Sequence, residues 1–124
     1  MRVLIIEDNR DAADSLRLLL EMLGHDVRAA YTGPDGVEAA STWLPDAVIS
    51  DIGLPGINGY EVARRLRKMQ ATAGTKLIAI SAYGAQEIGD NARDAGFDHV
   101  LTKAGKIDVL TALLAQRGED DQSR

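Results

Sequence analysis

The chain has 124 residues, 45% of them apolar and 27% charged, which suits one folded domain and excludes both a disordered chain and a membrane-embedded one. A net charge of −5 argues against a nucleic-acid binder working through a basic face. No Cys and only two His, His25 and His99, exclude disulfides, thiol chemistry and a multi-histidine metal site.

The first apolar run, Arg2–Ile6, is too short for a signal peptide or a span, so a cytoplasmic location away from membranes is expected. Ala13, Leu16, Leu20 and Leu23 follow at helical spacing, closed by Gly24. A second strand is expected over 26–31. Thr32, Gly33 and Pro34 then read as the N-cap and first turn of a second helix. The run at 46–50 predicts a third strand. Asn58 with Glu61 resembles a capping box opening a helix with Val62, Leu66 and Met69 on one face. A fourth strand at 76–81 precedes a weak helix over about 84–95, which contains Gly84 and Gly89, carries a thin stripe of Ile88, Ala92 and Ala95, and closes at Gly96. A fifth strand at 98–102 leads to a fifth helix marked by Ile107, Leu110 and Leu114. Strict alternation of nearly continuous apolar strands with amphipathic helices predicts a doubly wound α/β domain around a five-stranded parallel sheet. The domain is expected over 1–117, with a polar tail at 118–124 and no output domain attached.

Ligands of such sheets bind beyond the carboxyl ends of the strands. The first strand ends in Glu7 and Asp8, the third in Asp51, the fourth in Ser81 and the fifth in Lys103. Three carboxylates on one edge repel unless a cation joins them, and hard oxygen donors suit Mg²⁺ or Mn²⁺. A carboxylate such as Asp51 can also act as a nucleophile and form an acyl phosphate. Lys103 and a metal would neutralise the phosphoryl oxygens, and Ser81 could donate a hydrogen bond. Taken singly, each residue has a plainer reading: an acid pair at a helix N-terminus, a turn aspartate, a solvated lysine. Their joint placement at strand ends favours the chemical one. Other phosphate sites fail: there is no Walker motif, Gly53, Gly56 and Gly59 do not form a dinucleotide fingerprint, and the first strand–helix loop is acidic.

The segments VLIIEDN, DIGLPGINGYE, LIAISAYG and AGFDHVLTK, in that order at the strand ends, resemble the receiver domain of two-component response regulators across about residues 2–116. The resemblance implies a flavodoxin-like fold with strand order 2-1-3-4-5 and five helices. It implies Asp51 as phosphoacceptor and Glu7 with Asp8 as the Mg²⁺-holding pair, Asp8 the more direct ligand. It further implies Gly53 as a backbone-carbonyl ligand, Ser81 as the hydroxyl that meets the phosphoryl group, and Lys103 as the family lysine, with small Ala82 leaving room for the donor. The implied partners are a sensor histidine kinase or histidine phosphotransfer protein and an unnamed downstream protein. The wording SAYG and GFDHVLTK is similar to receivers of hybrid kinases.

Three positions depart from the family pattern. Ala104 stands where Pro usually follows the lysine, Val100 where an aromatic switch residue is usual, and Asn58 where Asp is common. The chemical set is complete while the readout set is altered. A trans Lys103–Ala104 bond is expected, since cis costs about 2.5–4 kcal/mol before a non-proline residue. Val100 is too small to sweep inward, so Tyr83 is the candidate substitute, and readout is expected to fall on 83–96. The expected function is phosphoryl acceptance with signalling by protein contact, with catalysis limited to the domain's own phosphorylation and dephosphorylation. The alternative is a receiver-shaped binding module that works without phosphorylation. A flavodoxin-like redox or nucleotide enzyme is disfavoured by the acidic loop.

Overall fold

A computed structural model describes residues 1–81 and 85–102. Strand β1 (Arg2–Ile6) is followed by α1 (Arg10–Met22), β2 (Asp26–Ala30), α2 (Gly33–Trp43), β3 (Ala47–Asp51), α3 (Gly59–Lys68), a 3₁₀ turn (Gln70–Thr72), β4 (Lys76–Ser81), α4 (Ala85–Ala95) and β5 (His99–Thr102). The five strands form one parallel sheet in the order β2-β1-β3-β4-β5. The fold is therefore the expected doubly wound one. The fifth helix and the 118–124 tail lie outside the described residues. Among those described, no helix is long and apolar enough to cross a membrane.

The strands are apolar on both faces because helices cover both. Val3, Ile5, Ile49, Ile78 and Ile80 pack with Ala13, Leu16 and Leu20 of α1. The alternate residues Leu4, Ile6, Val48, Leu77 and Ala79 pack with Ala40 and Trp43 of α2, Val62, Ala63 and Leu66 of α3, and Ala92 and Ala95 of α4. The period-2 alternation of strand side chains thus splits the core into two layers.

Local chemistry sets the helix ends. The Thr32 hydroxyl accepts from Asp35 N–H at 3.1 Å, and Asn58 Oδ1 accepts from Glu61 N–H at 3.1 Å. The Glu61 carboxylate turns to Arg65 at 3.0 Å, so only one half of the expected capping box forms. That guanidinium lowers the Glu61 carboxyl from its ordinary value. Gly24 (φ 97°) and Gly96 (φ 119°) close α1 and α4 in the left-handed region, as expected. Two stripes stop short: α1 ends at Met22, leaving Leu23 largely exposed, and α3 ends at Lys68 with Met69 extended. At the amino-terminal edge of the sheet, Arg28 lies 4.6 Å and Arg2 5.7 Å from the Trp43 ring, and Arg2 also donates to the Trp43 carbonyl at 2.9 Å.

Arg67 ties α3 to the turns that lead into β4 and β5. Its guanidinium donates to the carbonyls of Gly96 (2.9 Å), Ala73 (2.8 Å) and Thr75 (2.7 Å) and to Asp98 Oδ2 (2.9 Å). Asp98 Oδ2 also accepts the Leu77 N–H at 2.8 Å, so one side chain anchors the starts of β4 and β5. Arg67→Ala is expected to destabilise the fold by about 2–4 kcal/mol, read from the urea midpoint, because several carbonyls lose a charged donor together. His25 supplies a pH dependence. Burial, helped by the Met1 ammonium 3.3 Å away, lowers its pKa from 6.5. The unfolded chain then binds the proton first, so stability should fall as pH drops below 6.5, and an NMR titration of His25 should give a midpoint under that value.

Candidate functional site

The carboxyl ends of β1 and β3 bring the acids together. β1 continues past Ile6 as Glu7 N–H donates to Ala30 O at 3.0 Å, which fixes the backbone of Glu7 and presents Asp8 in the next position. Asn9 then stops the strand and caps α1, its Oδ1 accepting from Ala12 N–H at 3.0 Å. Sequence reasoning missed that cap, although an Asn before a helical stretch is its usual mark. Asp51 is the last residue of β3, where a five-residue, fully buried strand becomes a loop.

Carboxylate oxygens of Glu7, Asp8 and Asp51 all lie within 4.8 Å of one another. Glu7 and Asp51 are buried and Asp8 is exposed, so the cluster is a shallow acidic notch open on the Asp8 side. Its floor is apolar, formed by Ile5, Ala13, Leu16, Ile49 and Ile80. At an intermediate effective dielectric, like charges at this separation repel by about 3 kcal/mol per pair. A divalent cation held by oxygen lone pairs of all three would turn that repulsion into attraction. The set has no nitrogen or sulfur ligand and one open side, which fits a small hard cation such as Mg²⁺ that keeps several waters.

The loop after β3 orients Asp51. Gly53 N–H donates to Asp51 Oδ1 at 3.1 Å, and the Ser50 hydroxyl donates to the Asp51 carbonyl at 3.0 Å. Ile52 N–H bonds to Ile80 O at 3.1 Å and Gly59 N–H to Ile52 O at 3.0 Å, so β4 and the start of α3 hold the loop from both sides. Gly59 sits so close that a Cβ there would lie 2.5 Å from the Asp51 carbonyl oxygen and 2.7 Å from Ile52 Cα. The even spacing of Gly53, Gly56 and Gly59 thus has a local cause: a turn donor, a left-handed residue (φ 74°) and a close approach.

Ser81 ends β4, buried, in the strand next to β3. Val100 pairs with Ala79 and is partly buried against the layer formed with α2, α3 and α4. Ala82, Tyr83, Lys103 and Ala104, including the Lys103–Ala104 bond, lie outside the described residues. Beside the notch, Tyr31 at the end of β2 donates its hydroxyl to Asp14 Oδ1 at 2.9 Å, and the Arg10 guanidinium lies 4.2 Å from the Tyr31 ring centre. The hydrogen bond to Asp14 raises the Tyr31 pKa, so its hydroxyl remains a donor.

A five-stranded parallel sheet in this order, with acids converging at the ends of β1 and β3, defines a receiver-type signalling domain. The pattern of the response regulator receiver domain matches residues 3–115, and the chain belongs to that family, a signalling domain of two-component systems rather than a classical enzyme. It is 35% identical over 117 residues to the transcriptional regulatory protein DltR of Streptococcus agalactiae, covering 94% of this chain and 51% of DltR. It is 36% identical over 115 residues to the virulence sensor protein BvgS of Bordetella bronchiseptica, covering 89% of this chain and 9% of BvgS. The chain therefore spans about half the length of DltR and a small part of BvgS. Among solved structures, the receiver domain of sensor histidine kinase PA1611 from Pseudomonas aeruginosa, with a magnesium ion coordinated in its active-site cleft, superposes with a TM-score of 0.84 at 28% identity. That match covers 93% of this chain and 94% of PA1611's receiver.

Gly59→Ala should lower stability by about 1–3 kcal/mol, since the new methyl meets backbone atoms that cannot rotate away. A urea titration checks this, and a wild-type midpoint would contradict the close approach.

Proposed function

We propose that this receiver, a single unit over 1–117, accepts a phosphoryl group onto Asp51 from a phosphohistidine of a sensor histidine kinase or histidine phosphotransfer protein. It then signals by protein contact in the cytoplasm. The observation that carries the reading is the three-carboxylate notch at the ends of β1 and β3, with Asp51 buried in it.

Glu7, Asp8 and Asp51, with the Gly53 carbonyl, would hold Mg²⁺. Bound there, the ion would offset the negative charge of the incoming phosphoryl oxygens. While the Gly53 N–H donates to Oδ1 and steadies the side chain, one Asp51 carboxylate oxygen attacks the phosphorus. That oxygen forms the new bond to phosphorus as the bond from phosphorus to the donor imidazole breaks, and the imidazole leaves with the electron pair. The Ser81 hydroxyl and the Lys103 ammonium would meet the equatorial oxygens. Hydrolysis by water at the same phosphorus ends the signal, so the domain catalyses only its own phosphorylation and dephosphorylation.

Val100 favours a second reading, a binding module indifferent to phosphorylation. Its short side chain is already packed against the α2–α3–α4 layer and has little to swing. Readout would otherwise pass through residues 83–96, with Tyr83 in place of the aromatic switch and Ala104 altering the loop after Lys103.

Incubation with Mg²⁺ and a small phosphodonor, followed by intact mass, separates the two readings. The wild type should gain one acid-labile phosphoryl group, Asp51→Asn none, and Lys103→Ala should still bind Mg²⁺. Mg²⁺ alone should raise the melting temperature of the wild type. Unmodified wild-type protein supports the binding module. An Asp51→Asn protein labelled at the wild-type rate removes Asp51 from the role.

A further inference from the structure

Arg10 is the cation nearest in sequence to the acidic pair, two residues beyond Asp8 at the start of α1. An exposed arginine there is long enough to turn back toward the carboxylates, where three negative charges within 4.8 Å would attract it. It does not lie there. Its guanidinium rests on the Tyr31 ring at 4.2 Å, at the end of β2. In the sheet order β2 lies on the opposite side of β1 from β3, so the ring draws Arg10 away from Asp51. The ring is itself fixed, half-buried against the α1 layer and tied through its hydroxyl to Asp14 at 2.9 Å. Asp14 stands one helical turn after Arg10, which places an attractive charge on the same side as the ring.

We propose that the Tyr31–Asp14 pair parks Arg10 away from the carboxylate notch, keeping an internal cation from competing with the divalent ion for Glu7, Asp8 and Asp51. The proposal rests on the notch being a Mg²⁺ site. Tyr31 and Asp14 act as positioning residues: neither touches the ion, and their effect passes through Arg10. A competing state of the free protein reduces apparent affinity in proportion to its population, and the parking contact is a cation over an aromatic face. Its loss should therefore weaken Mg²⁺ binding about two- to fivefold at low ionic strength.

The test is calorimetric titration of the full chain with magnesium chloride, after chelator treatment, for four proteins. Tyr31→Leu keeps an apolar side chain for packing but loses the aromatic face and the hydroxyl, and it should weaken binding by that factor. Arg10→Gln alone should change the affinity less than twofold. The double variant should return to the Arg10→Gln value. Amide spectra recorded without metal verify that each variant is folded, and Tyr31→Met replaces Tyr31→Leu if the latter is not. Equal affinity of wild type and Tyr31→Leu overturns the proposal. So does a tightening by Arg10→Gln that is the same in both backgrounds, since that is a general charge effect rather than parking. A wild type that binds no Mg²⁺ while remaining folded overturns the metal reading and this inference with it.

Discussion

Like charges packed at the ends of two neighbouring strands are the constraint around which this domain is organised. Glu7, Asp8 and Asp51 would separate in a flexible loop. Here the backbone forbids it, because β1 and β3 are adjacent and in register from Val3–Ala47 to Ile6–Ser50. The apolar two-layer core supplies the free energy that keeps the strands in that register. The acidic notch is thus a local electrostatic cost borne by burial elsewhere, and it is the part of the molecule most ready to gain from a cation.

The supporting contacts are arranged on both sides of that notch. Gly53 N–H and the close approach of Gly59 hold Asp51 from the α3 side. The Ala30 carbonyl and the Asn9 cap hold Glu7 and the start of α1 from the β2 side. At the far end of the sheet, Arg67 fixes the turns that lead into β4 and β5. The strand ends are free to carry chemistry because the strand starts are pinned.

Much of this was legible in the sequence for a simple reason. Strands buried on both faces are almost purely apolar, so a charged residue that ends one stands out, and Glu7, Asp8 and Asp51 stand out in that way. The helix caps at Thr32 and Asn58 are equally local. Contacts between residues distant in sequence leave no such mark. Nothing in the spacing of Arg67 shows that it meets Gly96 and Asp98, 29 and 31 positions later. Nothing about Tyr31 shows that it bonds Asp14 across an αβ connection. Leu44, which ends α2 in the left-handed region at φ 55°, is a residue type that propensity would not place there. Periodicity also overran two helices, at Leu23 and Met69, because an apolar side chain continues a stripe whether or not the backbone does.

The lone tryptophan has an optical consequence. Trp43 is buried, with two guanidinium groups near its ring, at the end of the sheet opposite the acids, its carbonyl bound by Arg2. Its emission therefore reports the integrity of the fold and is blind by position to direct quenching by anything in the notch. A fluorescence change that follows occupancy of the carboxylates would have to be carried through β1 and α2, and its size would measure how far the sheet transmits strain from one end to the other.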